Sequence, residues 1–153
     1  MCEHISLIAV REGEDVKILS LEHNDNHSEI LSKNGTRDDA HAPEIVKIEM
    51  IPVDLLKPET WTLKIDGNTP AWWSVLCVER VRTEVKRLHA IYWNSKTRQY
   101  KFNGDLDLSS LTTLPADCTL SAGGYLHLRS LTTLPADCKL AAGGSLYLSS
   151  LTT

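Results

Sequence analysis

The chain has 153 residues, of which 42% are hydrophobic and 24% charged, with a net charge of −4. That length suits one compact domain with an appendage, or one fused unit. The acidity is mild and scattered and no basic face stands out, which disfavours nucleic-acid binding, and no apolar run approaches a membrane span.

The first residues, Met1-Cys2-Glu3-His4, lack the basic stretch and apolar run of a signal peptide. The four cysteines have no close spacing, which points to a reducing compartment and not to a disulfide framework. Together these features predict a cytoplasmic protein. Residues 5–10 read as a strand, 11–15 as a turn and 16–21 as a second, alternating strand, which makes a hairpin. Residues 22–42 are polar and rich in Asn, Asp and His. Their centre, 28–33, predicts a short helix closed by Asn34-Gly35, and 36–43 reads as a loop.

Residues 44–51 form the clearest strand of the first half, followed by Pro52 and a turn-like 53–58. Residues 60–65 alternate again until Asp66-Gly67-Asn68 breaks them. Thr69 suits an N-cap and Pro70 the first helical position. From there Cys77, Val78, Val81, Val85, Leu88 and Tyr92 recur at three- and four-residue spacing, with charges on the other face. The spacing predicts an amphipathic helix over 70–90. Tyr92-Trp93, a turn at 94–96, and 99–102 then form an aromatic junction, expected to cap the C-terminal fifty residues.

Those last fifty residues repeat. Gly104 to Cys118 and Gly124 to Cys138 coincide except at three positions, a third copy opens at Gly144, and the period is twenty. A fixed period of this kind signals stacked repeats. In Tyr125-Leu126-His127-Leu128 the leucines point to one face and the variable residues to the other. Leu111 and Leu114, and their counterparts Leu131 and Leu134, add a second inward pair. Pro115 and Pro135 end the extended stretch, and paired glycines permit the corner back. Each unit is too small to bury its own leucines, so neighbours must stack. Cys118 and Cys138 are expected one above the other inside that stack.

The block Leu-x-x-Leu-Pro ahead of a Leu-x-Leu strand resembles the short leucine-rich repeats of bacteria and their phages. It lacks their asparagine, with Ser110, Ser130 and Ser150 nearby instead, which favours a flatter, β-rich coil. The longer stretch Trp61-x-Leu63-x-Ile65-Asp66, Pro70-x-Trp72-Trp73 and a charged helix resembles uncharacterised phage and prophage proteins. In those a small α+β head precedes a tail of short repeats. The resemblance covers residues 44–153 and implies a phage-encoded accessory protein; it supplies no catalytic residues. The expected fold is therefore an α+β head of antiparallel strands and one amphipathic helix (1–103), followed by a short leucine-rich β-solenoid (104–153). The array stops in its third repeat, which leaves one face uncovered.

Three functional readings are open. The first is a non-enzymatic, cofactor-free interaction protein that engages another protein, and in the phage form blocks a host defence component. Its surface is the variable strip Tyr125, His127, Arg129 and Tyr147, with Trp72 as a second aromatic contact. The second is a metal-dependent enzyme. His23 and His27, four apart, and Asp25 between them have ligand chemistry, although a solvated loop explains the same residues. Asp66, at a strand end, suits either a catalytic carboxylate or a turn. The third is a homodimer formed through the uncovered end at Leu146, Leu148 and Leu151.

Overall fold

A computed structural model describes residues 3–34 and 44–151. The loop expected over 36–43 lies outside the described residues. The hairpin is present as β1 (Ser6–Glu12) and β2 (Asp15–Leu19), paired antiparallel. Its two-residue turn is possible because Gly13 takes a positive φ of 63°. The short helix α1 (His27–Lys33) has Asn26 as N-cap, whose side chain accepts from the Glu29 N–H, and Asn34 as C-cap.

Strand β3 (Ile45–Ile51) pairs with β1, and β4 (Thr62–Asp66) with β3, giving an antiparallel sheet in the order β2-β1-β3-β4. Between β3 and β4, the segment expected as a turn carries a single 3-10 turn, Pro58–Thr60. Helix α2 (Val75–Tyr92) begins later than expected, with Ser74 and not Thr69 as its N-cap. Residues 70–73 instead form a turn in which the Trp73 N–H donates to Pro70 O at 3.1 Å. Successive helical residues point about 100° apart. The turn lets Trp72 and Trp73 pack on the same core, both half-buried, with ring centroids 6.4 Å apart.

After α2 come β5 (Trp93–Asn94), β6 (Gln99–Phe102), β7 (Leu106–Asp107), β8 (Thr119–Ala122), β9 (Leu126–His127), β10 (Lys139–Ala142) and β11 (Leu146–Tyr147). They form a four-stranded sheet, β10-β8-β6-β5, and a three-stranded one, β11-β9-β7. Repeat-to-repeat pairing is parallel and in register: Gln99 faces Thr119, which faces Lys139, and Leu106 faces Leu126, which faces Leu146.

The expected leucine-rich solenoid is corrected by this arrangement. The described residues make a small α+β fold, with two helices and several open sheets among them, none closed into a coil. The aromatic junction supplies β6 and β5, which continue the four-stranded sheet beyond β8 and end it at β5. The cause lies in where the leucines go. Leu106, Leu108, Leu111, Leu120, Leu126, Leu128 and Leu131 share one buried cluster with Leu7, Ile48, Val81, Val85, Tyr100 and Phe102. The repeat leucines thus belong to one apolar cluster that also takes in the sheet and helix of the first half. Each fully buried leucine contributes about 1.5–3 kcal/mol by this burial. A second cluster, Ile8, Val10, Leu19, Ile30 and Leu31, joins α1 to the β1–β2 hairpin.

Candidate functional site

The in-register strands β7, β9 and β11 place Asp107, His127 and Tyr147 in one column. His127 and Tyr147 stack with centroids 4.6 Å apart and planes 6° from parallel. Tyr125 meets both rings edge-on at 6.4 Å. The Arg129 guanidinium carbon lies 5.4 Å from the Tyr147 ring centroid, within cation–π reach. The strip anticipated from the repeats is therefore brought together, with Tyr147 touching the other three side chains.

One member departs from expectation. Tyr125, Arg129 and Tyr147 are exposed, but His127 keeps only 5% of its surface and is not outward-facing. The parallel register is the reason, since the next strand lays the Tyr147 ring flat over the imidazole. Buried Nε2 of His127 has no hydrogen-bond partner among the described residues. Trp72 is not a member of this group; it stands beside Trp73 against the core.

The histidine segment before α1 lines a cleft of about 830 Å³. Lys47 and Asp66, opposite each other in the β3–β4 register, form one side, and Asn103 and Asp105 the other. His23 stands there with a left-handed φ of 59°. Its Nδ1 accepts from the Asn103 N–H at 2.9 Å, and its ring packs on Tyr92 and Phe102 at 5.0 and 5.7 Å. This partial burial pulls the imidazole below its usual range. His27 donates Nε2–H to Ile48 O at 2.9 Å.

Asp25 is the inner member. Its Oδ2 lies 2.8 Å from His4 Nδ1, its Oδ1 accepts from the Ser6 N–H, and His4 Nε2 lies 2.5 Å from the Tyr100 hydroxyl. With Asp25 ionised, Nδ1–H donates to it and Nε2 accepts from Tyr100. His4 and Tyr100 are fully buried, and burial drives the Tyr100 phenol well above its ordinary value. The line Tyr100–His4–Asp25 ties the N-terminus, the histidine segment and β6 into one polar network beneath the cleft.

His23 thus engages Asn103, Asp25 engages His4 and Ser6, and His27 engages Ile48. Among the described residues no group of three or more His, Cys, Asp or Glu is placed to hold a metal ion. His89 is used elsewhere, donating to Leu55 O at 2.7 Å, and His41 lies outside the described residues. The buried network was invisible in the sequence because its members are 21 and 96 residues apart. The full extent of the repeat had a signal: counting twenty back from Thr119 lands on Gln99, and Tyr100 and Phe102 match Leu120 and Ala122.

Comparison with known proteins returns nothing similar: no family model, no curated protein and no solved structure matches the chain. Among the described residues no helix is long and apolar enough to cross a membrane.

Proposed function

We propose that the chain is a non-enzymatic interaction protein that engages another protein through the repeat face, with Tyr125, Arg129 and Tyr147 as its anchors. The observation that carries this reading is the side-chain ladder itself. Two exposed tyrosines and an arginine meet around a buried, stacked imidazole: His127 and Tyr147 lie on in-register strands, Tyr125 just before β9 and Arg129 in the turn after it. Tyrosine and arginine dominate interface energetics because they offer large contact area with a polar handle. Here their geometry is fixed before binding, which reduces the entropy lost on association. The partner that fits presents apolar or aromatic side chains to the two tyrosine faces and an acceptor to Arg129. In this reading the protein acts in the cytosol, in keeping with Cys77, Cys118 and Cys138 as free thiols.

The test is affinity capture from a bacterial lysate with the intact chain and with a Tyr125→Ala, Tyr147→Ala variant of unchanged circular dichroism. One stoichiometric partner held by the first and lost by the second is the expected result. Equal capture by both would move the interface away from the repeat face.

A second reading rests on the outer edges of β10 and β11, which end their sheets, with Leu146 of β11 40% exposed. Two copies pairing along those edges would form a homodimer. Sedimentation equilibrium is then expected to show a dimer that Leu148→Asp dissociates, and a monomer at high concentration would exclude it.

A further inference from the structure

Two cysteines share one place in the repeat. Cys118 and Cys138, twenty residues apart, stand directly before β8 and β10. Backbone hydrogen bonds bracket the pair. The Asp117 N–H donates to Ala136 O at 3.3 Å, and the Lys139 N–H donates to Cys118 O at 2.9 Å. Thr119 then faces Lys139 in the parallel register. Neighbouring strands lie about 4.8 Å apart and in-register neighbours point to the same face. A disulfide spans Cα atoms about 4.4–6.8 Å apart, so the backbone already holds the two residues at a distance that such a bond requires.

The thiols are close enough to act on each other. Burial raises the Cys118 thiol and Cys138 raises it further, while the Arg98 guanidinium draws it down. Arg98 occupies the matching position in the preceding layer and donates to Asp117 O and Ala116 O at 3.0 and 3.1 Å. Burial raises Cys138 as well. The two differ in access: Cys118 is buried, whereas Cys138 is half-buried and meets a reagent first. Cys77 stands apart, buried on α2 with its sulfur 3.6 Å from Ser74 Oγ, and Cys2 lies outside the described residues.

We propose that Cys118 and Cys138 are a modification site, closed to a disulfide between successive layers by exchange with a small-molecule disulfide and reopened by thiols. The Cys138 thiolate attacks one sulfur of R–S–S–R, giving Cys138–S–S–R and releasing RS⁻. The Cys118 thiolate then attacks Cys138 Sγ, and the second RS⁻ leaves. Both protein protons end on the released thiolates, so two protein thiols are oxidised and one R–S–S–R is reduced to two RSH. Only thiolates react, so the raised thiols make closure slow at neutral pH and faster as pH rises. Strands β10 and β11 end their sheets, and the bond fastens this outer layer, which carries Tyr147, to the layer beneath. The inference does not depend on a partner for the aromatic ladder.

The test is equilibration of the intact protein in buffers of reduced and oxidised glutathione, both folded and in urea, read by peptide mass mapping without reductant. The folded chain is expected to give one peptide pair joined through Cys118 and Cys138. Its equilibrium constant is expected to be at least about tenfold above that of the unfolded chain, because native layers that favour the bond are stabilised by it. Closure is expected to slow amide exchange at Lys139 and Gly143, whose N–H groups donate to Cys118 O and Ala122 O. Cys118→Ser is expected to stop at the mixed disulfide on Cys138. The proposal is overturned if the folded parent chain stays reduced or stops at that mixed disulfide, or if links run through Cys2 or Cys77 instead. It is equally overturned if the folded and unfolded constants are equal, or if closure speeds exchange at Lys139, which would mean that the bond pulls the layers apart.

Discussion

At the scale of single residues, the Tyr100–His4–Asp25 network is costly to disturb, because His4 and Tyr100 are fully buried and cannot turn to water. Tyr100→Phe removes the hydroxyl and leaves His4 Nε2 buried without a donor. A loss of about 1–3 kcal/mol in urea unfolding is expected for such an orphaned group. An unchanged midpoint would mean that the network is not formed in solution. His89 carries the pH dependence. Burial holds its imidazole below the usual range, outweighing its bond to Leu55 O. The unfolded chain therefore takes up the proton first as pH falls. Stability from His89 is present above the ordinary imidazole value and lost as pH drops through the lowered one. His23 has the same sign. Glu3 has the opposite one, since burial and the charges of Asp107 and Glu49 raise its carboxyl, so its contribution is lost as pH rises through that raised value. Between about pH 7.5 and 5.5 the unfolding midpoint is expected to fall, and His89→Gln to flatten that slope. None of this was legible in the sequence, where His23, Asp25 and His27 stood out by spacing alone. Their contacts are made with Asn103, His4 and Ile48, residues that only tertiary structure brings near.

At the scale of elements, periodicity was the readable signal. Alternation over 44–51 and the three- and four-residue spacing from Cys77 to Tyr92 correspond to β3 and to the buried stripe of α2. The start of α2 was not readable, because Thr69-Pro70 has the chemistry of a helix entry while the neighbouring tryptophans require a turn. The twenty-residue period gave the register of the parallel strands. It did not give their setting: leucine spacing reports that a face is buried and is silent on what covers it. Corner geometry offers a direct test of the stacking. A Cβ on Gly123 would lie 2.2 Å from Asn103 O, whereas one on Gly13 would meet nothing within 4 Å. Gly123→Ala must push two backbones of successive layers apart and is expected to cost more than about 2 kcal/mol by thermal denaturation. Gly13→Ala carries only the strain of its positive φ, about 1 kcal/mol. Equal costs would contradict the close approach at the corner.

At the scale of the whole molecule, one apolar cluster runs from β1 through α2 to the repeats, so the ladder of Tyr125, Arg129 and Tyr147 rests on the core of the entire chain. Strand register sets Tyr147 over His127, and Tyr125 and Arg129 flank β9 directly, so binding through the ladder is expected to need little rearrangement. The sequence pointed to these residues because they vary where the rest of the repeat is constant; the burial of His127 beneath Tyr147 depended on the register of β9 and β11. The most direct measurement is titration calorimetry of the captured partner against the intact chain and against Tyr147→Ala, the ring on which the other three side chains converge. The expected result is a loss of about 2 kcal/mol or more, roughly thirtyfold in Kd, with the fold unchanged. A Kd within about twofold of the parent value would contradict the ladder as the binding surface, because a central anchor cannot be removed without that cost.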